Sequence, residues 1–250
     1  FGIGSSFAYK GNSAYTCKGL KSYYWRRIKA IYPASIIITL ALIFLDRASI
    51  FSDFSEGVKY TIGNLFLIED LLHVSRINPV SWYLSFLLLY YAAAPFIAFL
   101  LSKIKWQPAF YLMIAAIFIG QIVIVTQNLD NPAHQQLFYT NWKFRFFDFL
   151  TGLILGFALQ KPIIRKKNHR YFFFSCLEIG ALILCAVFFY LRVYVPVPYL
   201  HGTYYAPFIL LILIVFHEDG GVVSRFLSCP SVQFFGGLSL YFYLIHFKVL

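Results

Sequence analysis

The chain has 250 residues, of which 60% are hydrophobic and 21% aromatic but only 12% charged, whereas an ordinary soluble domain is about 45–50% apolar and about 25% charged. So little polar surface cannot cover a water-soluble globule, and so apolar a composition also excludes disorder, collagen and coiled coil. The formal net charge of +11 would suggest nucleic acid in a soluble protein, but in a bilayer protein the distribution of Lys and Arg over the loops carries the meaning.

A spanning helix needs about 20 mostly apolar residues, with about 17–25 allowed. In chain order the sequence predicts spans at 31–45, 80–101, 108–126, 144–160, 171–191, 204–216 and 232–250. The fold class is therefore all-α, a polytopic transmembrane helix bundle. The first and sixth spans are short and draw in flanking residues, Tyr24 and Trp25 or Thr203 and Tyr204. Phe1 to Tyr9 reads as the tail of an earlier helix, without initiator Met or signal peptide. The longest connection runs from Asp46 to Pro79. Its stretch Ile62 to Leu72 is too short and acid-flanked to span, so it lies in the interface, re-enters between helices, or covers lipid headgroups. No repeat or soluble domain interrupts residues 1–250, which read as a single transmembrane domain.

Placing residues 10–29 in the cytoplasm puts 102–107, 161–170 and 217–231 there too, because each span flips the side. These segments hold 6, 2, 5 and 1 Lys/Arg, against 5 in all the opposite loops, where six of the ten acids lie. The excess charge is then mostly a positive-inside signature and not a nucleic-acid patch. Cys176 and Cys185 share a predicted helix about 13 Å apart in rise, too far for a disulfide, and nothing points to an oxidising compartment.

Several residues carry chemistry on this map, each with a plainer alternative. Arg26, Arg27 and Lys29 stand at the cytoplasmic start of the first span, where backbone N–H groups and the helix dipole favour anions and Arg can grip phosphate with two parallel bonds. Alternatively they enforce topology and snorkel to headgroups. Arg145 and Asp148 lie one turn apart inside the outer end of a span, as a functional intramembrane pair or a self-neutralised structural one. Gly152 and Gly156, four apart, suit close helix packing. Trp82 and Tyr83 anchor a helix at the outer interface, or Trp82 stacks on a sugar face. Glu178, without a sequence-local partner, bonds a neighbouring helix or moves a proton.

His246 is the histidine that the pattern places within a membrane helix, as a packing residue or a base. His73, His134, His169, His201 and His217 fall in loops without metal-ligand spacing. Glu69, Asp70 and His73 form a small polar cluster, and no metal site is expected.

Four short patterns occur in a consistent order: Tyr24 to Pro33, with Arg26 and Arg27 before Ile31-Tyr32-Pro33; Asn78-Pro79-Val80-Ser81-Trp82-Tyr83-Leu84-Ser85 followed by Tyr91 and Pro95; Arg145 to Gly156, with Phe149, Gly152 and Gly156; and Gly237 to His246, with Tyr241, Tyr243 and Leu244. Together they resemble the acyltransferase-3 family of membrane-bound O-acyltransferases. Three positions depart from its pattern: Ala30 stands for its second arginine, Leu87 for a glutamate and Ser6 for a glycine. Lys29 restores a charge, turned by about 100° around the helix.

The resemblance implies transfer of an acyl group, acetyl above all, from cytoplasmic acyl-CoA to a hydroxyl of an extracytoplasmic glycan or lipid-linked sugar, at a multi-pass site in the plasma membrane. It assigns Arg26, Arg27 and Lys29 to acyl-CoA and Trp82, Arg145 and Asp148 to the acceptor. Membrane lipids are the surroundings, no nucleic acid is involved, and no metal or bound cofactor is required. The family's base is a histidine on its first transmembrane helix, which would precede Phe1. Residues 1–250 are therefore expected to be truncated at the N-terminus and also at the C-terminus, and inactive alone, with His246 the substitute candidate within them. A non-catalytic carrier or flippase for a lipid-linked sugar also suits interrupted spans and intramembrane ions.

The orientation is open to direct measurement. Single-cysteine labelling from outside intact cells is expected to fail at Lys18 and Lys166 and to succeed at Asn131; labelling at either lysine position overturns the map.

Overall fold

The structure, a computed structural model, describes residues 1–69, 77–160, 171–218 and 220–249, the last three by their backbone. Among these residues there is no strand. The helices are α1 (Gly2–Lys10), α2 (Cys17–Leu45), α3 (Arg47–Ile50), α4 (Phe54–Leu65), α5 (Trp82–Ser102), α6 (Pro108–Gln127), α7 (Trp142–Ala158), α8 (Tyr171–Leu191), α9 (Val197–Gly202), α10 (Ala206–His217), α11 (Val222–Leu227), α12 (Pro230–Gly237) and α13 (Ser239–Val249). A π-helix occupies Gln135–Tyr139. Among the described residues, five segments are long and apolar enough to cross a membrane: α2, α5, α6, Tyr171–Tyr194 and Val197–His217. The protein is a polytopic helical membrane protein.

The predicted spans at 108–126 and 171–191 match α6 and α8 to within a residue, and two others need correction. The first begins much earlier than 31. Thr16 caps it, its hydroxyl accepting from the Gly19 amide at 3.1 Å, and the 29-residue α2 is about 43 Å long against a hydrocarbon core of about 30 Å. The helix is thus longer than a perpendicular crossing requires, and its basic residues lie in its first half. The last span, 232–250, is two helices, because Gly236 and Gly237 are poor helix formers and α12 ends on them. The span at 144–160 is the 17-residue α7, which carries Lys143, Arg145 and Asp148 near its start. Its second half is enclosed, with Thr151 and the run Leu153, Ile154, Leu155, Gly156, Phe157 and Ala158 buried.

The connection from Asp46 to Pro79 is more ordered than its sequence suggests. Asp53 caps α4 by accepting from the Ser55 and Glu56 amides at 2.8 and 3.2 Å, and α4 packs on α2. The stretch predicted from Ile62 to Leu72 begins as the end of α4; residues 70–76 and 161–170, with Asp70, His73 and His169, lie outside the described residues.

The chain divides into two compact units, Phe1–Ala14 with Phe96–Gln233, and Tyr15–Pro95 with Phe234–Leu250. The core of the second is built on Ile31, Ala34, Ile38 and Leu42 of α2, at the three- and four-residue spacing of one helix face, with Leu67, Leu84 and Leu244. Leu67 takes a left-handed φ of 56°, costly for a residue with a Cβ. Its side chain, 1% exposed, is seated in that core, and burial offsets the backbone cost.

In the first unit α1 lies directly on α7. A Cβ on Gly156 would stand 2.5 Å from the Ser5 nitrogen and 2.6 Å from the Phe1 oxygen, and one on Gly4 would strike the Leu153 carbonyl. Gly152 and Gly156 thus serve backbone-to-backbone packing, as their spacing suggests. Gly180, by contrast, faces open space. In thermal unfolding in detergent, Gly156→Ala is expected to destabilise by about 1–3 kcal/mol through overpacking. Gly180→Ala should gain up to about 1 kcal/mol from helix propensity. Equal midpoints for the two variants would refute the close approach.

Candidate functional site

The basic turn is arranged differently from a helix start. Arg26, Arg27 and Lys29 lie well inside α2, where backbone N–H groups are already bonded to the preceding turn, so side chains alone are left to receive an anion. They also diverge. Arg26 is exposed and returns its Nε to the Ser22 carbonyl at 3.2 Å, and Lys29 lies 4.8 Å over the exposed Trp25 ring. Arg27 turns inward, its guanidinium 5.6 Å from the Tyr23 ring and 5.2 Å from the Tyr91 ring. Its Nε is buried without a hydrogen-bond partner.

This inward face is built by a proline. Pro95 in α5 has no N–H for the carbonyl four residues earlier, which belongs to Tyr91. The Tyr23 hydroxyl donates to that carbonyl at 3.1 Å, and the Tyr24 hydroxyl donates to Ala92 beside it at 3.1 Å. The tyrosine and proline of the second motif therefore make one feature, a released acceptor that ties α5 to α2.

Much of the rest of that motif is buried, although Pro79 and Tyr83 are exposed and the buried Ser85 hydroxyl has no partner among the described residues. Asn78 donates through Nδ2 to the Leu244 carbonyl at 2.9 Å, and the Tyr243 hydroxyl donates to the Val80 carbonyl at 2.9 Å. Ser81 donates to Glu69 at 2.6 Å, and Glu69 is fully buried. Trp82 is only 8% exposed and packs edge-on against Tyr83 and Phe86, whereas Tyr83 is 45% exposed. His246 is exposed on α13, its Nδ1 bonded to the Tyr243 carbonyl one turn earlier.

Arg145 and Asp148 form an ion pair at 2.8 Å, and much more is attached to it. Gln121 of α6 donates to Asp148 at 2.9 Å. Arg145 donates through Nε to the Tyr139 carbonyl at 3.1 Å and through Nη2 to the His201 carbonyl. The pair therefore joins α6, the π-helix, α7 and α9. The sequence reading missed the histidines gathered here: His134 and His201 stack at 5.4 Å, and Tyr139 lies 5.5 Å from His201. Gln121, a buried amide in an apolar span, was the available signal.

Glu178, 1% exposed, does have partners, supplied from a distant segment. Its carboxylate accepts from the amides of Gly221, Val223 and Ser224 at 2.9, 2.9 and 3.1 Å and from the Ser224 hydroxyl at 2.5 Å. It caps the N-terminus of α11 from outside, which favours the hydrogen-bonding reading over proton transfer. A Cβ on Gly221 would strike this carboxylate, so the glycine leaves room for the cap.

A family model for an acyltransferase domain, that of acyltransferase-3, matches residues 7–250. No curated protein and no solved structure matches significantly.

The cap makes a stability prediction. Glu178→Ala leaves two buried backbone N–H groups and one half-buried one without acceptors, each buried one costing roughly 1–3 kcal/mol, and thermal unfolding should show a large loss. Glu178→Gln, which keeps one acceptor oxygen, should fall between. A wild-type midpoint for Glu178→Ala would show that water replaces the cap.

Proposed function

Because the chain belongs to the acyltransferase-3 family, we propose that this membrane acyltransferase moves an acetyl group from cytoplasmic acetyl-CoA to a hydroxyl of an extracytoplasmic glycan or lipid-linked sugar at the plasma membrane. The family match through residues 7–250 carries this reading, and the basic turn at Arg26, Arg27 and Lys29 supports the donor half. CoA phosphates meet guanidinium forks well, and Arg27 offers a held one.

In the transfer, the sugar oxygen attacks the thioester carbonyl and gives its proton to a base, while fixed positive charge stabilises the oxyanion. The carbon–sulfur bond then breaks and the departing thiolate takes the proton, leaving an ester and free CoA. A histidine suits the base; the family places it on its first helix, and His246 is the candidate within residues 1–250. On the acceptor side the candidates are Arg145 with Asp148 and, separately, Trp82 with its exposed neighbour Tyr83.

Arg27→Ala is expected to weaken acetyl-CoA binding at least tenfold, a loss of about 1.4 kcal/mol, whereas Lys103→Ala, an exposed cation elsewhere, should change it little. Equal losses in equilibrium binding would reduce the basic turn to a topology signal. Loss of acetyl transfer to cell-surface glycan in His246→Ala, with binding intact, would place the base in the C-terminal helix.

A further inference from the structure

We infer that Tyr23 and Tyr91 are positioning residues that hold the Arg27 guanidinium as the anion-receiving group of this chain. The inference rests on the acyl-CoA reading above and separates Arg27 from Arg26 and Lys29, which the sequence treats as one cluster.

Three observations converge on it. Arg27 lies beside two aromatic rings, at 5.6 and 5.2 Å, from two different helices, a geometry in which the ring faces attract the cation and fix its plane. Its Nε is shielded from solvent and has no acceptor, and no described carboxylate pairs with it. A buried N–H on a cation is costly unless an acceptor arrives, and the oxyanion of a phosphate supplies one with the right charge. Finally, the rings are themselves held. Tyr23 is 6% exposed, and its hydroxyl donates to the Tyr91 carbonyl, which Pro95 has released, while its oxygen faces the Arg27 guanidinium. The same bond therefore fixes the distance between α2 and α5 at the level of Arg27. Arg26 and Lys29, exposed and returned to their own helix, have no such frame and act as a diffuse field for the approaching anion.

The test measures equilibrium binding of acetyl-CoA to the full chain in nanodiscs, with thermal unfolding as the check on folding. Tyr91→Leu is expected to weaken binding roughly three- to tenfold, while Tyr91→Phe, which keeps the ring face, stays within about twofold of wild type. In an Arg27→Ala background, Tyr91→Leu should add no further loss, because its effect passes through the guanidinium. Pro95→Ala restores an N–H that competes with the Tyr23 hydroxyl and should reproduce part of the Tyr91→Leu loss. Additive losses of Tyr91→Leu and Arg27→Ala would overturn the inference, since they would mark Tyr91 as merely structural. If Arg27→Ala loses binding while Tyr91→Leu is unchanged, positioning fails and the acyl-CoA reading stands. Should Arg27→Ala itself bind normally, that reading falls and this one with it.

Discussion

Backbone polar groups in an apolar medium must be satisfied within the protein, because no water is present to take their hydrogen bonds. At several points among the described residues where a proline, a helix end or a turn releases such a group, a side chain claims it. Pro95 releases the Tyr91 carbonyl, and Tyr23 takes it. The start of α11 presents three amides, and Glu178 takes them. The carbonyls of Phe66, Val80 and Leu244 go to Tyr32, Tyr243 and Asn78. Polar side chains that look catalytic in the sequence are in several cases the donors and acceptors that this constraint demands.

That accounting changes which residues are left for chemistry. Glu178 is fully engaged as a cap, and Asp148 accepts from both Arg145 and Gln121. Arg145 spends its nitrogens on Asp148 and on two carbonyls, so it organises four elements before it meets any ligand. Arg27 is the contrasting case, a framed cation with an unsatisfied Nε. For the acyl-CoA donor proposed above, a polyanion, one held guanidinium and several loose charges would divide the work, the loose ones raising the local anion concentration and the held one giving orientation.

Close approach is the second device. Gly4 and Gly156 let two backbones meet where any Cβ would collide, and lipid supplies no hydrophobic force to bring helices together, so the gain is packing itself. Gly221 performs a different service, leaving space for a carboxylate rather than for a helix.

Composition and hydropathy alone determined that the chain is a polytopic helical membrane protein, because runs of apolar residues fold as helices in lipid whatever their neighbours. Four ordered motifs were enough to indicate the family. The spacing of Gly152 and Gly156 announced packing, and the four-residue spacing of Tyr91 and Pro95 already contained the released carbonyl, although only the structure names Tyr23 as its donor. The length of α2 was misread because its amphiphilic first turns are not apolar and a cap at Thr16, not hydropathy, sets its start. What tertiary structure decided is the pairing of residues far apart in the chain: Tyr23 with Tyr91, Ser81 with Glu69, Gln121 with Asp148 and Glu178 with α11. Such pairs join separate elements, and local periodicity records which face of a helix is apolar but not which polar group across the interface will meet it.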